Sequence, residues 1–212
     1  MKMKNYLLLS FSLSILSFVL AGCFNEPEPA YKSVPAEARV YLSEKSLKGK
    51  LDLASPAVAA SFKAENLAKI DYLNLDRNQL TNVDAVAKLT GLKWLRVNDN
   101  QIASLGDLGA LKSLRRIYLK NNRLTKVPET LKDLPALTDI ELSGNPISEV
   151  PDWLAAKPGL KAVSLNRTRV RKLPANLDGW KSLQQLQLGD LDLSPEEMAR
   201  IRKALPKTAV VF

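Results

Sequence analysis

Residues 70–80 read Ile70-Asp71-Tyr72-Leu73-Asn74-Leu75-Asp76-Arg77-Asn78-Gln79-Leu80, and the same order of apolar positions around one amide returns at 92–102, 114–124 and 137–147. Each segment fits LxxLxLxxNxL, with Ile or Val in some apolar slots. Asn78, Asn100, Asn122 and Asn145 are spaced 22, 22 and 23 residues apart. A fifth copy at 160–170 has Thr168 in the asparagine slot, and a sixth at 183–193 has Leu191 there. Self-similarity at one fixed period predicts a stack of similar coils.

The pattern has a direct physical reading. In L-x-L the leucines of a short strand point into the coil and the residues between them point out, and strands of neighbouring coils pair in parallel about 4.8 Å apart. The asparagine sits where the chain turns inward after the strand. A buried turn leaves backbone groups in need of partners, and a carboxamide can donate and accept at once. Asn78, Asn100, Asn122 and Asn145 are therefore expected to form a structural ladder. Thr168 can do part of that work and Leu191 none, so the stack is expected to end at the sixth copy. Return segments such as Val127-Pro128-Glu129-Thr130-Leu131 and Val150-Pro151-Asp152-Trp153-Leu154 carry leucines at helical or 3₁₀ spacing and are assigned to the convex side.

These six segments resemble the leucine-rich repeat family, and the resemblance covers most of the chain after residue 37. It implies an α/β solenoid with a curved parallel β-sheet on the concave side and helices, 3₁₀ turns and loops on the convex side. Both ends of such a stack expose an apolar cross-section and need a cap. Stepping back 22 residues from Leu73 and Leu75 lands on Leu51 and Leu53, with Val58 in phase with Leu80. Residues 38–69 are thus read as an N-terminal cap built on a degenerate first repeat, with a helix after Ser55-Pro56, and 70–193 as the repeats. Ser194-Pro195-Glu196-Glu197 places serine at a helix N-cap, proline at the first helical position and glutamate at the third. That helix, a stop at Pro206 and the strand-like Ala209-Val210-Val211-Phe212 make 194–212 the C-terminal cap.

The start of the chain carries a different signal. Lys2 and Lys4 precede an apolar run from Tyr6 to Leu20, followed by Leu20-Ala21-Gly22-Cys23, the three parts of a secretory signal. The segment resembles the lipobox of bacterial lipoproteins. The resemblance implies cleavage between Gly22 and Cys23, acylation of Cys23 and a lipid anchor, so 1–22 is read as signal peptide. Two or three acyl chains hold a protein essentially permanently, whereas one binds reversibly. Residues 23–37, with three prolines and little apolar material, are read as the lipidated N-terminus and a tether. By the same resemblance, Phe24 is not the aspartate that favours inner-membrane retention, so the outer membrane is the expected location.

Composition narrows the chemistry. The chain has no histidine and one cysteine, which excludes Ser-His-Asp and Cys-His catalysis, His/Cys zinc sites and intramolecular disulfides. No metal and no cofactor is expected. Removing residues 1–22 takes away two lysines and no acid, so the net charge of +9 falls to +7. The basic residues are spread along the chain, which reads as a solvated surface and not as a nucleic-acid site. Leucine-rich repeats also occur in bacterial effector ubiquitin ligases, but those need a nucleophilic cysteine in a separate catalytic domain, absent here.

The outward positions of the strands form columns across neighbouring coils. One runs Tyr72, Trp94, Arg116, Asp139, Ala162, Gln185; the next runs Asn74, Arg96, Tyr118, Glu141, Ser164, Gln187; a third runs Asp76, Asn98, Lys120, Ser143, Asn166, Gly189. Tyr, Trp and Arg are enriched at interface hot spots. Tyr72, Trp94, Arg96, Arg116, Tyr118 and Lys120 are the candidate contacts for a protein or peptide partner, with Asp139 and Glu141 at the rim. The alternative is that the same residues form only cation-π pairs and a cross-strand ion pair, each worth under about 1 kcal/mol when exposed. Asp139 and Glu141 resemble a catalytic carboxylate pair superficially, but an open sheet offers no water-excluding pocket to tune them. The expectation is a monomeric, non-enzymatic envelope protein that binds a protein; the alternative is an adhesion protein that binds glycan or lipopolysaccharide.

Overall fold

The computed structural model describes residues 39–42, 48–52, 58 and 64–212. Gly22, Cys23, the tether and Leu53 lie outside the described residues. Among those described, eight short strands form one parallel sheet in the order β1 (Arg39–Tyr41), β3 (Tyr72–Asn74), β5 (Trp94–Arg96), β6 (Arg116–Tyr118), β7 (Asp139–Glu141), β8 (Ala162–Ser164), β9 (Gln185–Gln187), β10 (Ala209–Val211). β2 (Lys48–Lys50) and β4 (Gln79–Asn82) make a separate parallel pair. The return segments are 3₁₀ turns, such as Asp84–Lys88, Glu129–Asp133 and Asp178–Trp180, and the short helix α1 (Asp152–Ala156). This is the expected solenoid.

The inward leucines account for its stability. Leu73, Leu95, Ile117, Ile140, Val163 and Leu186, stacked in register at the strand centres, are fully buried. Burial of each such side chain is worth about 1.5–3 kcal/mol, and every one lies between two neighbours of its own kind. On the convex side Trp180 is also fully buried, and its indole Nε1 donates to the Leu154 carbonyl at 2.8 Å. Gly179 permits that approach, since a Cβ there would stand 2.4 Å from the Ala155 carbonyl oxygen. Trp153 is half-buried and donates to Glu129 Oε2 at 3.1 Å.

The asparagine ladder forms as expected. Asn100 Oδ1 accepts from Leu80 N at 3.0 Å while Nδ2 reaches the Leu75, Val97 and Asn98 carbonyls. Asn122 and Asn145 repeat this on Ile102 N and Leu124 N, and Asn78 Nδ2 donates to the carbonyls of Leu42 and Leu75. Thr168 departs from expectation, because its buried hydroxyl has no hydrogen-bond partner among the described residues. One carbon shorter than a carboxamide, it sits in the slot without reaching the backbone groups. The residue before each slot is left-handed: φ is 58° at Arg77, 55° at Asp99, 54° at Asn121, 69° at Gly144, 55° at Arg167 and 59° at Asp190.

The N-terminal cap differs from the reading by period. The strand that continues the sheet is β1, with Val40 opposite Leu73, and not the segment around Leu51 and Leu53. The step from Val40 to Leu73 is 33 residues, so the first coil is longer than the others and a 22-residue offset falls short of its strand. Leu51 is nevertheless buried, following the strand that pairs with β4. Where a helix was expected after Ser55-Pro56, its last part, Ala64–Lys69, is a 3₁₀ turn. At the other end α2 (Pro195–Ala204) begins as expected, with Ser194 Oγ accepting from Glu197 N at 3.2 Å. β10 then pairs in parallel with β9 and ends the sheet.

Candidate functional site

The three columns exist in the expected register. Tyr72 pairs with Trp94, Trp94 with Arg116, Arg116 with Asp139, and in the next row Asn74 with Arg96, Arg96 with Tyr118, Tyr118 with Glu141. β1 adds Tyr41 beside Asn74, and its ring lies 5.4 Å from that of Tyr72. Tyr72 meets Trp94 edge-on at 5.9 Å, and the Arg116 guanidinium lies 5.4 Å from the Trp94 ring centroid. A continuous row therefore crosses four coils from Tyr41 to Arg116. Such ring pairs contribute about 0.5–1.5 kcal/mol beyond the area they bury.

Accessibility divides the candidates. Trp94, Arg96, Arg116, Lys120 and Asp139 are half-buried, and Tyr41 is 48% exposed. Tyr72, Tyr118 and Glu141 are buried, at 2%, 1% and 5% exposure. These three support the surface and do not present themselves to a partner, which corrects the placement of Tyr72 and Tyr118 as contacts and of Glu141 at the rim. Longer neighbours cover them: Arg96 lies over the Tyr118 ring at 5.3 Å, and Tyr72 is flanked by Tyr41 and Trp94. Burial pushes the Glu141 carboxyl above the usual carboxylate range, opposed by hydrogen bonds from Ser143 and Ser164 and by the Lys120 charge.

The third column is a second ladder that the period does not reveal. Asp76 Oδ1 accepts from Asn98 N at 2.7 Å, Asn98 Oδ1 from Lys120 N at 2.8 Å, and Asn166 Oδ1 from Gly189 N at 2.7 Å. Each side-chain oxygen thus ties its coil to the same position of the next coil. Only the recurrence of Asp, Asn and Asn at that slot could have signalled it. Lys120 interrupts the ladder, because an ammonium donates and cannot accept. Ser143 N, which would bond to that slot, goes instead to Glu141 Oε1 in its own coil at 2.7 Å. Ser143 and Ser164 hydroxyls then meet at 2.6 Å, and Gln187 Oε1 accepts from Ser164 and Asn166.

The charges are layered. Arg96 Nε bonds Asp76 Oδ2 at 2.9 Å and Arg116 Nε lies 3.7 Å from Asp139 Oδ2. The arginine side chains are 25% and 27% exposed and both carboxylates 13%. The guanidiniums lie outermost. Lys120 Nζ makes no hydrogen bond or ion pair with any described residue. Asp139 and Glu141, two residues apart on β7, point to the same side, but Glu141 is engaged by Ser143 and covered. The pair does not form a carboxylate couple open to a substrate.

Comparison with known proteins agrees with this architecture. The family described as "Leucine rich repeat" matches residues 107–147. A leucine-rich repeat protein of Leptospira interrogans superposes with a TM-score of 0.61 at 28% identity, over 79% of this chain and 49% of that one. An internalin of Listeria monocytogenes superposes with a TM-score of 0.62 at 25% identity, over 70% and 43%. Chicken (Gallus gallus) fibromodulin is 38% identical over 69 residues, which are 30% of this chain and 18% of fibromodulin. The chain spans less than half the length of each of these relatives. It carries a leucine-rich repeat domain, and the solenoid is the fold of that domain.

Proposed function

We propose that this chain is a lipid-anchored bacterial envelope protein whose leucine-rich repeat domain binds a protein partner on its concave face and catalyses no reaction. The observation that carries the binding reading is the row Tyr41, Tyr72, Trp94, Arg116, which runs unbroken across four coils and ends in accessible aromatic and cationic groups. Tyr, Trp and Arg are the residue types that dominate binding energy at protein interfaces. Fold alone does not assign function; the reading rests on this surface. The sequence around Cys23 supports an anchor, with residues 24–37 holding the domain off the membrane, and Phe24 in place of aspartate supports the outer membrane. Both structural neighbours are bacterial proteins.

Crosslinking in intact cells followed by mass spectrometry of captured proteins tests the reading. Trp94→Ala combined with Arg116→Ala is expected to remove the specific partner while leaving the circular dichroism spectrum unchanged. If the double variant captures the same proteins as wild type, the concave face is not the binding surface. For the anchor, Cys23→Ser is expected to abolish detergent-dependent extraction. A variant that remains membrane-bound at wild-type mass would refute acylation at Cys23.

A further inference from the structure

Lys120 stands in a slot that holds a side-chain acceptor in the coils before it and in the coil of Asn166. Placing lysine there deprives Ser143 N of its partner from the previous coil, and the buried Glu141 carboxylate takes that role. Sequences depart from their own local rule mainly where function requires it. The residue introduced by the departure is a cation that makes no side-chain hydrogen bond or close ion pair with a described residue, its charge acting on the buried Glu141, beside two guanidiniums that lie outside their own carboxylates.

We propose that this cationic layer binds an acidic segment of the protein partner, with Lys120 and Arg116 receiving its carboxylates and Trp94 and Tyr41 its apolar side chains. The proposal deepens the concave-face reading and rests on it. Charge complementarity selects the ligand. Asp76 and Asp139 lie beneath Arg96 and Arg116, so an approaching chain meets positive charge first. Arg116 and Lys120 are four residues apart along the direction of β6, about 13 Å for extended backbone. An extended acidic segment lying along β6 reaches both with carboxylates four residues apart. Arg116 pairs with Asp139 only at 3.7 Å, through Nε, and its terminal nitrogens can take a ligand carboxylate in a bidentate manner.

The test uses the full chain in detergent micelles and a fluorescent 15-residue peptide bearing glutamates four residues apart among leucine and serine. Its glutamine counterpart serves as the neutral control and dextran sulfate as a non-peptide polyanion. The glutamate peptide is expected to bind, more weakly as salt rises, and the glutamine peptide is not. Arg116→Ala and Lys120→Asn are each expected to weaken binding by about tenfold or more. Arg171→Ala with Lys172→Ala, elsewhere on the surface, is expected to leave it unchanged. Lys120→Asn separates binding from folding, because asparagine restores the acceptor slot and keeps the ladder intact.

Equal affinity for the two peptides, equal loss in the Arg171/Lys172 variant, undiminished binding by Lys120→Asn, or binding of dextran sulfate without the peptide would each overturn the proposal. If Trp94- and Arg116-dependent capture persists in cells while the acidic peptide fails, the partner chemistry is wrong and the concave reading stands. If both fail, the concave reading falls as well.

Discussion

Arg200 grips the Glu197 carboxylate with two 2.8 Å hydrogen bonds, Nε to Oε2 and Nη2 to Oε1, and thereby locks the terminal helix onto the last return segment. Glu197 Oε1 also accepts from Leu173 N at 2.8 Å, while Arg200 donates to the carbonyls of Leu173, Pro174 and Ala175. The glutamate at the third helical position thus serves as a tie between segments and does not complete a capping box. Arg200 beside it holds the Glu197 carboxyl below its ordinary value of 4.5. A depressed folded-state value means that its stabilisation is present above the unfolded value and is lost as pH falls through the folded one. Thermal unfolding should therefore show a midpoint that declines on acidification below about pH 4.5, and Glu197→Gln should flatten that decline. Glu197→Ala, which leaves Arg200 and Leu173 N without their partner, should cost about 3 kcal/mol at pH 7.

The unpartnered Thr168 hydroxyl marks a correctable defect in the ladder. Thr168→Asn places a carboxamide where Asn100, Asn122 and Asn145 each accept a backbone N–H of the preceding coil. A gain of about 1 kcal/mol is expected, seen as a rise of about 2–4 °C in the unfolding midpoint. No change would mean that the fifth coil cannot bring its backbone groups within reach.

Gly179 should tolerate no side chain. The Cβ of alanine would lie 2.4 Å from Ala155 O and 2.5 Å from Ala156 C, and backbone atoms cannot swing aside. Gly179→Ala is expected to destabilise by about 1–3 kcal/mol, with a change in Trp180 fluorescence as the indole leaves the Leu154 carbonyl.

Glu141 gives the opposite pH behaviour to Glu197. Burial raises its folded-state value above 4.5, so folding favours the protonated form and the ionised form weighs against stability once pH exceeds the unfolded value. Glu141→Gln retains an oxygen for Ser143 N and removes the charge. It should be more stable than wild type at pH 7, and the advantage should shrink as pH approaches 4. A variant less stable at pH 7 would show that the ionised carboxylate is needed by the Ser143 and Ser164 hydrogen bonds.

The first ladder and the strand register were legible because the ladder recurs in four successive coils and the register in every repeat. Asn78, Asn100, Asn122 and Asn145 occupy one slot of an unchanging pattern, and Tyr72, Trp94 and Arg116 occupy another, so the repeat spacing alone predicts which residues become neighbours. The second ladder was harder to see, since Asp76, Asn98 and Asn166 share only an oxygen acceptor and Lys120 and Ser143 interrupt them. The longer N-terminal coil was hidden for a related reason: a 33-residue step has no period to be read from.

The solenoid, its core and the order of side chains on the concave sheet can be read from the repeat, because apolar residues at a constant interval are buried together when the coils stack. Which of those side chains reach solvent is set by three-dimensional packing. Exposure at Tyr72, Tyr118 and Glu141 depends on the length and lean of Trp94, Arg96 and the other residues of adjacent strands, and on the added strand that carries Tyr41. That is a property of neighbours in space, and it leaves Tyr41, Trp94, Arg96, Arg116 and Lys120 as the accessible part of a surface beneath which Tyr72, Tyr118 and Glu141 lie.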